Sequence, residues 1–555
     1  MRKPLLILVI FLTACVTKLD LANQAPIFYT SAVLKPGLDG YYSYQLLIGD
    51  PEGDELEVTT SELPSWLSFD SKKMLLSGLP TVNGIGSYPI SIMVSDGKNT
   101  NTQHFTLIVD YLLSEAPLRA QVNFQYTFSL ITLNNPSSVT VNQKPDWLDY
   151  DPLLMQFNGI PSYSDVGTNS VVYTMSDAIK GDLEYSFTVD VGVRFSLIVS
   201  SPVVDIARDH FISSVFQNET DSSFFAISDH QFNVFGGVGR DAFISKISAS
   251  GSVIWQNRLP FAGPKSVINL SGSDLLFAAQ NGQVGVINKA NGNLIWSASF
   301  GQTGGASTNQ AIETSDHQIA MIGSVNYSDN TTYDDLWLVK IDMSGNMLWE
   351  ATFGGLLPEK GIALAEVSDG FILLANTASI GNGQNDFYLV KTDLNGSKVW
   401  EKTFGGRKND KAEALIKAID GSGFYLLGSS NSIGSGSSDA WLVKVDLNGN
   451  KVWDRVYGGE FYDQGLSLDQ TTNTDLIIAI ESRTQNNLEK NLIILKTDAN
   501  GNIIWKKQIS GAERVIYSIK ATNDSGYVLG GRFRNSSQFY HSSWLLKIDA
   551  DGNYD

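Results

Sequence analysis

Six tryptophans, Trp255, Trp296, Trp349, Trp400, Trp453 and Trp505, follow one another at intervals of 41, 53, 51, 53 and 52 residues. A period this regular restricts the chain to an array of one supersecondary unit, because a unit that cannot bury its own apolar face must stack on its neighbours. One period reads as four short strands, at 412–418, 424–429, 440–446 and 451–457. Between them lie Asp420-Gly421-Ser422-Gly423, the glycine-rich stretch 431–438, and Leu447-Asn448-Gly449-Asn450. Four strands every 40–50 residues is the period of β-propeller blades.

The best-marked part of the period is a strand, a tight turn and a second strand ending in tryptophan. It reads Leu442-Val443-Lys444-Val445-Asp446-Leu447-Asn448-Gly449 to Trp453, and returns as Val390 to Trp400 and Val339 to Trp349. Asn-Gly suits the positive φ of a two-residue hairpin turn, and tryptophan supplies a large rigid wedge between sheets. Seven such turns, at Gly251, Gly292, Gly345, Gly396, Gly449, Gly501 and Gly552, predict seven blades. The seventh has no tryptophan strand, because the sequence given stops at Asp555. Its edge needs a cover, and the strand-like stretch 195–204 is expected to supply it. The turns resemble the repeats of pyrroloquinoline-quinone-type propellers and of the propeller lipoprotein of the outer-membrane β-barrel assembly machinery. The resemblance implies blade architecture; the paired cysteines of the quinone enzymes are missing, so no quinone site is expected.

A second repeat precedes the first. Pro64-Ser65-Trp66-Leu67 returns as Pro145-Asp146-Trp147-Leu148, Gly78-Leu79-Pro80 as Gly159-Ile160-Pro161, and Ser95-Asp96 as Ser176-Asp177, all at an offset of 81 residues. One offset shared by turns, a tryptophan and a strand end means a duplicated domain, and its alternating strands read as a β-sandwich. The order Asp50-Pro51-Glu52-Gly53-Asp54, Pro64-Ser65-Trp66-Leu67, Gly78-Leu79-Pro80, Ser95-Asp96-Gly97 resembles dystroglycan-type cadherin-like (Ig-like) domains of bacterial surface proteins. The expected fold is therefore all-β: two tandem Ig/cadherin-like sandwiches, at 24–111 and 112–194, then a seven-bladed propeller at 195–555.

Calcium prefers six to eight oxygens, and carboxylates on a tight turn can converge on one cation. Asp50, Glu52, Asp54 and Asp96 are the candidate ligands, Asp96 standing in the Ser-Asp-Gly that the resembled family places near its calcium. An acidic solvated turn is the competing reading. The second copy keeps Asp177, but Asn134-Asn135-Pro136 stands where the acids would be.

Arg2 and Lys3 precede an apolar run, 5–12, long enough for an export signal and too short to span a bilayer. It ends in Leu12-Thr13-Ala14-Cys15, which resembles the lipobox of bacterial lipoproteins. A signal at 1–14, lipid on Cys15 and a tether over 15–23 are expected, with Val16 after the cysteine favouring the outer membrane. Cys15 is the one cysteine, so disulfides are excluded.

A net charge of −19 repels phosphate backbones, which removes nucleic acid as a partner. The five histidines show no metal-ligand spacing, and hydrolase elbows and phosphate loops are absent. Lys246, Lys340, Lys391, Lys444, Lys496 and Lys547 recur at one position in six of the seven units, which favours structural pairing with carboxylates over a ring awaiting an anion. The tryptophans, by the same argument, are packing. The expectation is a lipid-anchored envelope protein that binds or adheres, with a protein or glycan ligand on variable propeller loops and no catalysis. A quinone-dependent or glycan-active enzyme and an assembly scaffold are the alternatives.

Overall fold

The computed structural model describes residues 23–199, 207–234, 237–272, 274–301, 305–326, 333–483, 490–509, 513–534 and 541–554. The signal segment, Cys15 and residues 200–204 lie outside them. Among the described residues every regular element is a strand, apart from single 3-10 turns at Val82–Gly84 and Tyr163–Asp165. The chain divides into two compact units, one built mainly from residues before Val189 and the other mainly from Asp190 onward.

In the first unit the duplication holds strand by strand. Tyr42–Gln45, Leu75–Gly78 and Leu67–Asp70 make one sheet, and Tyr126–Ser129, Gln156–Gly159 and Leu148–Asp151 repeat it in the same order. Leu67 pairs with Gly78 as Leu148 pairs with Gly159. A Cβ on Gly78 would strike the Trp66 carbonyl, and one on Gly159 the Trp147 carbonyl, so close backbone approach fixes both glycines. The facing sheets are Glu57–Thr60, Gly86–Ser95 and Thr100–Val109, and Ser138–Gln143, Gly167–Asp177 and Gly181–Gly192 with a parallel edge strand, Arg119–Gln121. The first core packs Tyr42, Tyr44, Leu76, Ile90, Ile92 and Leu107, with Trp66 edge-on to Tyr42 and Tyr88.

In the second unit seven four-stranded antiparallel sheets follow one another. The fifth contains Asp410–Lys417, Phe424–Ser430, Asp439–Val445 and Lys451–Tyr457, within two residues of the sequence reading. The seventh takes its first three strands from Glu513–Ala521, Tyr527–Arg534 and Ser542–Ile548, and its fourth from Phe195–Val199. That closing strand sets Phe195 opposite Lys547, the register in which Trp453 faces Lys444.

The first strands of consecutive sheets neighbour one another around a ring, including the seventh beside the first. A repeated hydrogen bond stitches them. The Val267 amide donates to Ser214 Oγ, that of Leu364 to Gln310 Oε1 and that of Ile519 to Ser467 Oγ. Across the closure, Val215 N donates to Ser518 Oγ in the same way (3.2 Å).

The hairpin expectation needs one correction. Asp446 N donates to Asn450 O (2.9 Å), Gly449 N donates to Asp446 O (3.0 Å), and only Gly449 has a positive φ, +73°. The loop therefore has three residues, a turn followed by a left-handed glycine, rather than a two-residue Asn-Gly turn with both φ positive. The Asp446 carboxylate caps it, accepting from the amides of Asn448 and Asn450 and from Asn450 Nδ2. Packing adds a second demand for glycine: a Cβ at Gly449 would run into the Trp400 ring of the preceding sheet. Gly292 meets Trp255, Gly345 Trp296, Gly396 Trp349 and Gly552 Trp505 in the same way, while Gly501 meets Arg455 and Tyr457 ahead of Trp453. Each tryptophan thus wedges against the next sheet's turn, which explains why the two recur together.

Candidate functional site

The antiparallel meander puts the two kinds of loop at opposite ends of each sheet. Turns joining strands one to two and three to four share one end, the turn face. Loops joining strands two to three, and one sheet to the next, share the other, the loop face.

The turn face is occupied by structure. Lys246 Nζ lies 2.7 Å from Asp221, Lys340 2.6 Å from Asp316, Lys391 2.8 Å from Asp369, Lys496 3.0 Å from Asp475 and Lys547 2.9 Å from Asp524. Each pair ties a third strand to the turn between the first and second. Lys547 and Asp524 have side chains at most 1% exposed. Burial lowers the Lys547 pKa and would raise that of Asp524, but the ammonium opposite keeps the carboxyl below its usual value. Lys444 departs from the pattern: its Nζ sits 4.0 Å from the Tyr425 ring centroid.

The inner strands carry a device that the sequence pattern does not reveal. In every sheet the first strand slips one residue against the second at an equivalent place, a β-bulge. The extra residues are Ser213, Lys265, Asn309, Ile362, Glu413, Leu466 and Tyr517. All are partly exposed, whereas the residue two further on is buried and apolar in all seven sheets. The backbone device repeats seven times and the side chain never does, so a symmetric frame carries an asymmetric set of side chains.

Around these bulges a polar network joins the fifth and sixth sheets. Glu413 pairs with Lys411 and accepts from Gln464 Nε2 (2.8 Å), and Gln464 Oε1 accepts from the Tyr462 hydroxyl (2.7 Å). The Arg483 guanidinium stacks 4.5 Å from the Tyr462 ring centroid and pairs with Glu481 at 2.7 Å. A cavity of about 320 Å³ opens beside it, lined by Tyr457, Glu460, Phe461, Ile480, Arg483 and Lys506 among others.

On the seventh sheet, between the sixth and the first, Glu513 faces Lys490 of the sixth (3.4 Å), Arg534 and His541 Nε2 (3.3 Å). His541 Nδ1 reaches Asp209 at 2.7 Å. Burial would raise the Glu513 carboxyl, but His541, Arg534 and Lys490 hold it below its usual range. Tyr517 packs 5.0 Å from Phe211 between centroids. Beside this junction His210 and His230 lie 4.4 Å apart, and burial, then the His210 neighbour, pushes His230 down to about 3. Sequence spacing could not reveal the His541 contact, because its partner Asp209 lies 332 residues away.

The four sandwich acids divide between two arrangements. Asp50 Oδ1 accepts from the amides of Glu52 (2.9 Å) and Asp54 (3.0 Å), closing its own turn. Asp96 Oδ1 accepts from the amides of Lys98 and Asn99, and its Oδ2 from Asn23 Nδ2 (2.6 Å). Lys98 Nζ lies 3.3 Å from Asp54 Oδ2, and Glu52 Oε2 accepts from the Gln24 amide. Among the described residues no group of three or more His, Cys, Asp or Glu is arranged to hold a metal ion. In the second copy Asp177 takes the place of Asp96, and Tyr111 OH (3.0 Å) and Asn134 Nδ2 (3.1 Å) donate to its Oδ2. Among the described residues no helix is long and apolar enough to cross a membrane.

Fold and site together define an all-β protein with an Ig-like N-terminal domain and a propeller-type repeat domain. Residues 25–110 match the family described as "Putative Ig domain", and residues 240–507 match the family of outer membrane protein assembly factor BamB. The chain therefore carries an Ig-like domain at its N-terminal end and a BamB/PQQ-like repeat domain toward its C-terminal end. Regulatory protein FlaEY of Caulobacter vibrioides is 28% identical over 137 residues, which are 21% of this chain and 14% of that protein. BamB from Moraxella catarrhalis is 13% identical over 63% of this chain and 95% of that one, with a TM-score of 0.34. The WD40 β-propeller domain of Doa1 is 13% identical over 63% and 96%, with a TM-score of 0.40.

Proposed function

We propose that this protein is a lipid-anchored component of the cell envelope that binds a protein or glycan through the bulge ring and loop face of its repeat domain, without catalysing a reaction. The lipid on Cys15 holds it to a membrane, the outer membrane for preference, and the Ig-like repeats serve as spacers. The observation that carries this reading is the set of seven bulges, whose side chains differ in every sheet, whereas the turn face keeps one lysine–carboxylate pair in five of the seven. Charged groups of both signs beside Tyr462, Phe461 and Tyr517 suit a polar, hydrogen-bonding ligand. The calcium reading of Asp50, Glu52, Asp54 and Asp96 fits less well, since Lys98 already brings a positive charge to Asp54.

A second reading, a scaffold for outer-membrane protein assembly, is favoured by the match of residues 240–507 to the BamB family. Cross-linked capture from envelope extract, run with the wild type and with Lys411→Ala/Tyr517→Ala, tests both. The proposal expects a partner kept by the wild type and lost by the variant, and barrel-assembly proteins in that difference favour the scaffold. An identical catch from both contradicts the bulge-ring assignment.

A further inference from the structure

Three consecutive sheet junctions on the loop face place two acids side by side. The third strands starting at Asp335, Asp386 and Asp439 meet, in the following sheets, first strands starting at Glu359, Asp410 and Asp463. The main chain fixes the approach: Glu359 N donates to Asp334 O, Asp410 N to Asn385 O and Asp463 N to Ser438 O, each at 2.7 Å. A glycine separates each pair of carboxylates, and a Cβ on Gly354, Gly405 or Gly458 would strike both of them. Five of the six acids are at most 4% exposed.

Neutral donors serve part of this charge. Asp410 accepts from Gly406 N (2.7 Å) and Ser430 Oγ (2.5 Å), Glu359 from Gly355 N (3.1 Å) and Thr377 Oγ1 (2.7 Å), and Asp463 from Gly459 N (2.9 Å). Asp386 Oδ2 accepts from Asn382 N (2.7 Å), but its Oδ1, against Gly405 and toward Asp410, is buried without a hydrogen-bond partner. Two buried like charges this close destabilise the fold unless a positive species joins them. Burial first, and the Asp410 charge after it, raises the Asp386 carboxyl.

The other junctions lack the second acid. Counting back five residues from the repeated lysine position and three from the bulge gives Asp241 with Ala262, Asn281 with Ala306, Asn491 with Arg514, and Ser542 with His210. The junction after the three acid pairs thus has an amide and a guanidinium where they have two carboxylates.

We propose that the Asp335/Glu359, Asp386/Asp410 and Asp439/Asp463 pairs are sites for a hard divalent cation of the calcium type, each tying one sheet to the next. An oxygen from each carboxylate is the anchor, Asp386 Oδ1 being the clearest. The glycine-rich loops supply carbonyl oxygens close by: Gly383 packs on those of Gly406 and Lys408, and Gly436 on those of Gly459 and Phe461. Oxygen-only donors of high charge suit calcium rather than a soft transition metal. The inference stands apart from the recognition reading, since the cations would brace the loop face whatever it binds.

The test is calcium titration into the chelator-treated full-length protein at pH 7.5, followed by calorimetry and thermal melting. Calcium should bind at close to three per chain and raise the melting temperature by several degrees. Asp386→Asn and Asp439→Asn, each made separately so that one can fail to fold without cost to the test, should each remove one bound calcium. Asp50→Asn/Asp54→Asn should leave the stoichiometry unchanged. No calcium binding, with a melting temperature that rises as pH falls from 7.5 to 5, would mean that the pairs share protons and would overturn the proposal. Full stoichiometry in both single variants would overturn it too.

Discussion

The two ends of the propeller sheets use the same strands for opposite purposes. On the turn face the side chains repeat where a neighbour fixes them: five lysines by a carboxylate across their own sheet, and the turn glycines by the tryptophan of the sheet before. On the loop face the backbone repeats, in the form of one bulge per first strand, while the residue at the bulge runs through Ser213, Lys265, Asn309, Ile362, Glu413, Leu466 and Tyr517. Strict repetition of side chains marks what packing demands. Repetition of backbone alone marks a position free to specialise.

The sharpest way to break this contrast lies at the ring closure. Lys547→Met leaves Asp524 as a buried charge with its main partner gone, and should cost about 3–5 kcal/mol in chemical unfolding. Lys444→Met removes only a cation over the Tyr425 ring and should cost about 1 kcal/mol or less. Equal costs would mean that the repeated lysines are not held by their carboxylates. Gly449→Ala forces a side chain into a positive-φ position and against Trp400, with an expected loss of about 1–3 kcal/mol in the same assay.

A pH series probes the buried histidines. His230 is held neutral, with its folded pKa near 3 against an ordinary value of 6.5, so between these values the unfolded chain binds the extra proton. Stability should therefore be complete above about pH 6.5 and fall as pH drops toward 3, by up to about 1.4 kcal/mol per pH unit from this group. His230→Gln should flatten that slope in melting curves, and an unchanged slope would show that His230 is not the group responsible.

The sequence carried the fold because its signals are local and repeated. The Asp-x-x-Gly turns and tryptophans give the sheets, the 81-residue offset gives the paired sandwiches, and the strand-like stretch 195–204 gives the seventh sheet's fourth strand, found at Phe195–Val199. The site was less legible. A bulge leaves no residue signature when each copy carries a different side chain, and the network around Glu513 joins residues from strands more than 300 positions apart, such as Asp209 and His541. The acid pairs lay within reach: Gly354-Gly355 to Glu359, Gly405-Gly406 to Asp410 and Gly458-Gly459 to Asp463 keep one spacing. That regularity needed only to be set beside the aspartates that open the third strands. The sandwich acids showed their turn-closing role only in three dimensions, where one oxygen of Asp50 and one of Asp96 accept amides of their own turns.

The smallest expected effect on stability belongs to the bulge ring, and the same variant tests the central claim most directly. Lys411→Ala/Tyr517→Ala should change unfolding free energy by no more than about 1 kcal/mol, because both side chains are partly exposed, yet abolish capture of the envelope partner. A turn-face change at the exposed Leu447, Leu447→Ala, should leave both stability and capture unchanged. Capture that survives in the bulge variant, or that is lost in the turn-face variant, would contradict the assignment of recognition to the inner ring and loop face.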